Sequence, residues 1–199
     1  MKVYVKFVRS AMETAHWPPA AAPEIAFLGR SNVGKSSLLN ALAGEKIART
    51  SSTPGRPRAI NFFELRRAGH PHPEWVFADL PGYGYAKLPR EVTAEWPSFI
   101  EPYLEKREPL ALCVVLVDAR IPPQASDKQL LDWLRSSDCP FLVVATKTDR
   151  LSGNDLPMSL RRLQAELGVE VLLPFSAKTG AGRNELWAAI RAAAERTTA

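Results

Sequence analysis

The stretch Gly29-Arg-Ser-Asn-Val-Gly-Lys-Ser36 fits the pattern G-x-x-x-x-G-K-[ST] and decides the fold class. The apolar run Ile25–Leu28 leads into it, and the residues after it, Ser37-Leu-Leu-Asn40, continue as a helix. A loop between a strand and a helix can wrap its backbone N–H groups around phosphates, at a helix N-terminus that already favours anions. The stretch therefore predicts a phosphate-binding loop. The competing interpretation is an ordinary glycine-rich turn.

Short apolar runs alternate with amphipathic helical stretches around this loop, which predicts an α/β domain. We expect a mixed, mostly parallel six-stranded sheet with helices on both faces. The predicted strands are Glu24–Leu28, Ile60–Leu65, Trp75–Asp79, Leu110–Asp118, Phe141–Thr146 and Glu170–Pro174. The predicted helices are Lys35–Ala43, Thr93–Lys106, Lys128–Arg135, Pro157–Leu167 and Asn184–Arg196. The connection between the second and third strands is too short for a crossover helix, so this pair should form an antiparallel hairpin.

Length and composition indicate one globular domain: 199 residues, 46% hydrophobic and 24% charged. We expect residues 1–22 to be an N-terminal extension packed on a domain that spans 23–199. No signal peptide and no apolar stretch of about 18 residues is present, which predicts a cytoplasmic protein without membrane association. Two unclustered cysteines, Cys113 and Cys139, fit a reducing compartment and predict neither a disulfide scaffold nor a metal site. We expect a monomer.

The sequence Asp79-Leu-Pro-Gly82 ends the third predicted strand and supplies the groups that a phosphate loop needs beside it. Lys35 would place a positive charge on the β and γ phosphates, and the Gly82 N–H would sense the γ-phosphate. Lys35 and Gly82 are therefore the candidate catalytic residues. The Ser36 hydroxyl and the Asp79 carboxylate are the candidate Mg²⁺ ligands.

The sequence Thr146-Lys-Thr-Asp149 closes the fifth predicted strand and indicates guanine rather than adenine. Guanine presents two adjacent N–H donors that one carboxylate accepts together, whereas adenine would leave Asp149 buried and unpaired. A site that pairs polar groups in this way rejects the wrong analogue by roughly 10⁴–10⁵. Lys147 would lie along the base with its ammonium near the phosphate loop. The Ala177 N–H, in Ser176-Ala-Lys178, could donate to guanine O6. A P-loop kinase or ATPase is the less favoured alternative.

Six sequence segments together resemble the EngB (YsxC) family of bacterial GTPases. They are GRSNVGKSSLLNAL, TPGR, INFFEL, DLPGYGYAK, TKTD and PFSAK, and the resemblance extends over nearly the whole chain. It implies a P-loop NTPase with a Ras-like G domain. It also implies a role in assembling the large (50S) ribosomal subunit and a requirement in normal cell division and septation. The implied partners are GTP and the precursor of that subunit, with its ribosomal RNA and ribosomal proteins.

The resemblance assigns nucleotide binding to the residues that match the motifs of the family. They are Gly29, Arg30, Ser31, Asn32, Val33, Gly34, Lys35 and Ser36 in the phosphate loop; Gly55, Arg56, Pro57, Arg58 and Ala59 in the first switch; Asp79, Leu80, Pro81 and Gly82 at the start of the second switch; and Thr146, Lys147, Thr148, Asp149, Ser176, Ala177 and Lys178 around the base. The family usually reads TPGRT, with the last threonine ligating Mg²⁺. This chain has Pro57 there, so that ligand is lost and either Thr53 or water would replace it.

Two positions in the site have more than one interpretation. Tyr83 stands where familiar GTPases carry a glutamine that orients the attacking water, and it is either part of the mechanism or a packing aromatic. Hydrolysis should therefore be slow without a partner, and a GTP-binding module without significant hydrolysis is the alternative. Asn32 either binds a K⁺ ion that assists catalysis or stabilises the turn of the loop.

A formal net charge of +5 is compatible with an RNA-rich partner. Several cations flank the predicted switches and the hairpin: Arg49, Arg56, Arg58, Lys87, Arg90, Arg66 and Arg67. Ordered by GTP, they would form one surface that binds RNA phosphates. The alternative is that they are solvated loop charges.

Overall fold

A computed structural model describes residues 3–48, 59–83 and 100–198. Its strands form one sheet in the order β1-β3-β4-β2-β5-β6-β7. Their bounds are β1 Val3–Ala11, β2 Glu24–Gly29, β3 Ile60–Arg67, β4 Trp75–Asp79, β5 Leu110–Asp118, β6 Phe141–Thr146 and β7 Leu172–Pro174. The sheet thus has seven strands and not the predicted six. The additional strand is β1. Its partner β3 begins about 50 residues after β1 ends, so their pairing is not visible in the local sequence pattern.

Helices cover both faces of the sheet, as expected. Within the described ranges they are α1 Lys35–Ala43, α2 at 100–106, α3 Ala125–Ser136, α4 Asp155–Leu167 and α5 Arg183–Thr198. Apolar side chains of α1 and α5 pack on one face, and those of α2, α3 and α4 pack on the other. The predicted start of α2 at Thr93 lies outside the described residues. None of the helices in the described part of the chain is both long and apolar enough to cross a membrane.

The α3 helix begins three residues earlier than the hydrophobic pattern predicts. Gln124 and Asp127 form a capping box there, in which the Asp127 carboxylate accepts the Gln124 N–H at 2.9 Å. A capping box satisfies N–H groups that have no partner within the helix, so it extends the helix beyond its apolar stripe.

Strand directions place one crevice at the middle of the sheet. Strand β2 pairs in parallel with β4 on one side and with β5 on the other, and β5, β6 and β7 continue in parallel. Strands β3 and β4 are antiparallel, which confirms the predicted hairpin. Because the chain reaches the two neighbours of β2 in opposite directions, the carboxyl end of β2 lies at the switch point where open α/β sheets bind ligands.

The residues before β2 join the fold at several points. Strand β1 pairs antiparallel with β3, from Val3 opposite Arg67 to Ala11 opposite Ile60. After β1, the Trp17 ring packs edge-on against a tyrosine of α2, with 5.6 Å between the ring centroids. A domain boundary at residue 22 stays a prediction.

A buried ion pair ties this N-terminal segment to the start of β2. Glu24 is fully buried, and its carboxylate accepts the Arg107 Nε–H at 3.0 Å and the Tyr103 hydroxyl at 2.8 Å. The Arg107 guanidinium also donates to the Pro18 carbonyl at 2.8 Å. Arg107, directly after α2, therefore joins β2 to the segment between β1 and β2.

Replacing Arg107 with methionine should lower the free energy of unfolding by about 3–5 kcal/mol, because the Glu24 carboxylate would stay buried without its ionic partner. Urea denaturation measures this loss. Arg67→Met is the matched control, since Arg67 also pairs with a glutamate, Glu74, but its side chain is 43% exposed, against 10% for Arg107. Its effect should be much smaller. Equal losses in the two variants would contradict the expected result.

Candidate functional site

The predicted site residues lie at one edge of the sheet. Strands β2, β4, β5, β6 and β7 run in the same direction, so their carboxyl ends meet there. The segments that follow four of these strands are the phosphate loop, the D-x-x-G segment, the T-K-x-D segment and the S-A-K segment. The structure therefore brings together predicted residues that lie far apart in the sequence.

The phosphate loop owes its shape to two residues with left-handed backbone. Gly34 has φ +113° and caps the N-terminus of α1, and Asn32 has φ +64°. Asparagine adopts this conformation more readily than most residues, so a turn-stabilising role suits Asn32. The Thr146 hydroxyl lies 2.6 Å from the Val33 carbonyl oxygen. This contact joins the loop to the end of β6.

Lys35 and Asp79 form an ion pair in the centre of the site. Both side chains are largely buried, at 13% exposure each. The pair places the carboxylate beside the first turn of α1, which also carries Ser36. A hydroxyl and a carboxylate are oxygen donors of the kind that Mg²⁺ prefers together with phosphate oxygens and water. The donors present thus fit the predicted metal.

The start of the second switch lies directly against the phosphate loop. The Tyr83 N–H donates to the Gly29 carbonyl at 3.3 Å, and the Ser31 N–H donates to the Tyr83 carbonyl at 3.0 Å. Gly82 packs so closely that a Cβ added to it would lie 3.2 Å from Ser31 Oγ and 3.3 Å from Ser31 N. A larger residue would have little room at this position.

The Lys147 side chain joins the base-binding segment to the phosphate loop. Its ammonium donates to the Asn32 carbonyl at 2.6 Å and to Asp118 Oδ2 at 2.8 Å. The prediction that this ammonium lies near the phosphate loop is confirmed. Burial alone would raise the pKa of Asp118, but hydrogen bonds from Arg120 and Lys147 outweigh it and lower the pKa to about 2. Asp118 is therefore ionised at neutral pH and holds the lysine in place.

Asp149 and Ser176 meet across the two segments that are predicted to hold the base. The Ser176 hydroxyl donates to Asp149 Oδ1 at 2.7 Å, and its oxygen accepts the Thr179 N–H at 3.1 Å. Ser176 is buried, whereas Ala177 and Lys178 after it are exposed. The hydroxyl therefore orients the carboxylate, which leaves Asp149 Oδ2 for another donor.

The turn after Ser176 depends on a glycine that the sequence motifs do not include. Gly182 has φ +79°, and a Cβ on it would lie 2.0 Å from the Pro174 carbonyl oxygen. Only glycine fits so close to another backbone in this conformation. The turn that carries Ala177 is thereby held against the end of β7.

Some residues lie outside the predicted set or outside the described ranges. Asp118 and Asp127 were not predicted, although the position of Asp118 at the end of β5 could have indicated it by the strand-end rule. The first-switch residues Gly55, Arg56, Pro57 and Arg58 lie outside the described residues, and Ala59 is described as partly exposed.

Comparison with known proteins shows what the chain is similar to. Residues 24–147 match the protein family described as 50S ribosome-binding GTPase. The chain is 61% identical over 194 residues to the "Probable GTP-binding protein EngB" of Koribacter versatilis (strain Ellin345), covering 98% of this chain and 96% of that protein. It is 61% identical over 201 residues to the protein of that name from Acidobacterium capsulatum, covering 100% and 95%. A crystal structure of a "probable GTP-binding protein engB" has a TM-score of 0.70 at 26% identity, covering 87% of this chain and 99% of the other.

Proposed function

Because the chain belongs to the EngB family of GTP-binding proteins, we propose that it is a slowly hydrolysing GTP switch that acts in assembly of the large ribosomal subunit. Its role would extend to normal cell division and septation, and it would act as a cytoplasmic monomer. GTP binding follows from the family itself. The slow rate, the ribosomal partner and the cellular role are parts of the proposal.

The contact that best supports this function is the double hydrogen bond of the Lys147 ammonium. It joins the Asn32 carbonyl of the phosphate loop to Asp118 at the end of β5. In a bound guanine nucleotide, the base would contact Asp149 and the phosphates would contact the loop. The aliphatic part of the Lys147 side chain would lie between these two sites. A phosphate loop alone would fit any P-loop NTPase, whereas this arrangement suits a guanine nucleotide.

The roles that we assign to residues of this site are nucleotide binding and electrostatic stabilisation. None is assigned as a general base. Lys35 would leave Asp79 and turn to the β and γ phosphates, and the backbone N–H groups of the loop would hold the phosphate oxygens. Ser36 and Asp79 would hold Mg²⁺, which when bound offsets charge on the phosphates. The Tyr83 hydroxyl is engaged by Asp127 at 2.9 Å, so it does not serve to orient water. This supports slow hydrolysis.

The ribosomal partner is supported by the family description and by surface charge. The matched family is described as ribosome-binding, and the chain carries a net charge of +5. Of the cations predicted to bind RNA, Arg66 and Arg67 lie in the described residues. Arg67 pairs with Glu74, whereas the Arg66 guanidinium lies over the Tyr4 ring at 5.3 Å from its centroid. Arg66 is thus the better candidate of the two for an RNA phosphate.

Nucleotide binding and turnover test the switch itself. Binding of GTP, GDP and ATP should show preference for the guanine nucleotides, and multiple-turnover phosphate release should give a rate of about 10⁻⁴–10⁻² s⁻¹. Running the assay in K⁺ and in Na⁺ tests whether Asn32 contributes a potassium site. No release above background would favour a binding module, and many turnovers per second would show that a catalytic group has been missed.

Co-sedimentation with large-subunit precursors tests the partner. Binding should be tighter with a non-hydrolysable GTP analogue than with GDP, since the γ-phosphate orders switch segments. Affinity should also fall steeply with salt, because each neutralised RNA phosphate releases counterions. Equal binding in both nucleotide states would contradict the switch, and binding insensitive to salt would contradict an electrostatic surface.

A further inference from the structure

Tyr83 connects the start of the second switch to two separate parts of the fold. Its backbone pairs with Gly29 and Ser31 of the phosphate loop, at 3.3 and 3.0 Å. Its hydroxyl donates to Asp127 Oδ1 at 2.9 Å, in the first turn of α3. The phosphate loop thus holds the backbone of Tyr83 and α3 holds its side chain. Tyr83 therefore has little freedom to move relative to either element.

Asp127 is itself firmly held. Its Oδ2 accepts the Gln124 N–H at 2.9 Å, and it is 3% exposed, while Tyr83 is 8% exposed. Burial raises the pKa of Tyr83 well above its usual value, and the Asp127 carboxylate raises it further. The phenol therefore stays a hydrogen-bond donor at physiological pH. A hydrogen bond from a buried donor to a buried carboxylate is among the stronger ones in proteins.

Gly82 precedes Tyr83 and is the residue whose N–H would meet the γ-phosphate. The peptide between them is planar, so moving Tyr83 moves Gly82 as well. Gly82 is already so close to the loop that a Cβ on it would lie 3.2 Å from Ser31 Oγ. Its place relative to the phosphates is therefore set by the residue that follows it.

We infer that Tyr83 is a positioning residue of the phosphate site, whose hydrogen bond to Asp127 holds Gly82 against the phosphate loop. The inference rests on the proposed function, because it gives Gly82 the role of sensing the γ-phosphate. The hydroxyl donates to a carboxylate of α3, so Tyr83 acts through Gly82 and is not a catalytic residue. Familiar GTPases carry a water-orienting glutamine at this position, whereas here the residue holds Gly82 in place.

The variant Tyr83→Phe removes the hydroxyl and keeps the ring. We expect it to lower the ratio of affinities for a non-hydrolysable GTP analogue and for GDP by about tenfold, the size of one hydrogen bond to a charged group. Affinity for GDP should stay within about twofold, because GDP has no γ-phosphate for Gly82 to contact. Single-turnover hydrolysis should slow by a similar factor. Fluorescent-nucleotide titration and phosphate release measure these effects.

Tyr103→Phe is a closely matched control. Tyr103 is also a buried tyrosine that donates to a buried carboxylate, Glu24, at 2.8 Å, but Glu24 begins β2 and so lies at the other end of that strand from the loop. This variant should lose thermal stability without changing the affinity ratio. Asp127→Asn replaces the charged acceptor with a neutral one and keeps the Tyr83 side chain. It should lower the ratio in the same direction by a smaller factor.

The possible results separate the inference from the proposed function. An unchanged ratio in Tyr83→Phe, equal losses of GTP-analogue and GDP affinity, or the same drop in Tyr103→Phe would overturn the positioning role. A wild-type protein that binds neither guanine nucleotide would overturn the proposed function instead. If Tyr83→Phe is unfolded at the assay temperature, Asp127→Asn alone decides between these results.

Discussion

Replacing Asp149 with asparagine should move the nucleotide preference of the protein from GTP toward xanthosine triphosphate. Guanine offers two adjacent donors, and the carboxylate is expected to accept both. The asparagine keeps one acceptor and replaces the other with a donor, so at least one hydrogen bond to a charged group is lost, at about 1.5–3 kcal/mol, and GTP affinity should fall by at least about 10–10²-fold. Xanthine carries an oxygen where guanine has its 2-amino group, so an asparagine amide can donate to it. Competition binding with both nucleotides measures the change.

The geometry around Asp149 makes this a clean substitution. The Ser176 hydroxyl donates to Oδ1 at 2.7 Å, and an asparagine keeps an oxygen there while it turns its amide nitrogen to the base. Asp155→Asn is the matched control, because that exposed aspartate also accepts a serine hydroxyl, from Ser152 at 2.6 Å, but begins α4 and belongs to neither of the two predicted base-binding segments. It should leave both affinities unchanged. An Asp149→Asn protein that still prefers GTP would refute the assignment of the base site.

Replacing Lys35 with methionine should nearly abolish hydrolysis. The ammonium would place a positive charge on the predicted β and γ phosphates, and removing one such group costs roughly 10²–10³ in rate. At GTP concentrations below saturation, the measured rate should fall by more than this, because GTP affinity would fall as well. The Asp79 carboxylate would then face the phosphates without the lysine that pairs with it here. Single-turnover phosphate release at saturating GTP isolates the rate, and nucleotide titration isolates the affinity.

A lysine on the surface provides the comparison for Lys35. Lys128 of α3 lies 3.7 Å from the carboxylate of Glu166 and is well exposed. Lys128→Met removes one positive charge from the chain without touching the site, so it should leave both the rate and the affinity as they are. Comparable defects in the two variants would mean that overall charge, and not the phosphate contact of Lys35, supports binding.

Much of the fold could be predicted because it depends on local patterns. The bounds of α1, β4, β5 and β6 agree with the prediction to the residue, since their apolar runs begin and end sharply. The family and the P-loop class are also confirmed. These features follow from residues that are neighbours in the chain, and periodicity and turn chemistry record them directly.

What could not be predicted depends on pairs that are distant in the sequence. The place of β1 in the sheet depends on β3, and the Tyr83 hydroxyl finds Asp127 44 residues later. Nothing near Tyr83 indicates that its ring is buried rather than turned to the nucleotide. The lysine of the T-K-x-D motif was predicted to lie near the loop, but the Asp118 carboxylate that holds it was not. The nucleotide-binding roles of the site residues stay predictions.

The antiparallel pairing of β1 with β3 has a consequence for the order in which the chain is made. Ala11 ends β1, and its partner Ile60 is synthesised about 50 residues later, which takes roughly 3–10 s at ordinary elongation rates. Throughout that interval β1 exists without its partner strand. Lys6 and Arg9 are exposed within β1, and charged side chains on an unpaired strand disfavour its pairing with a strand of another chain. These charges thus protect the nascent chain against aggregation until the hairpin of β3 and β4 has been synthesised.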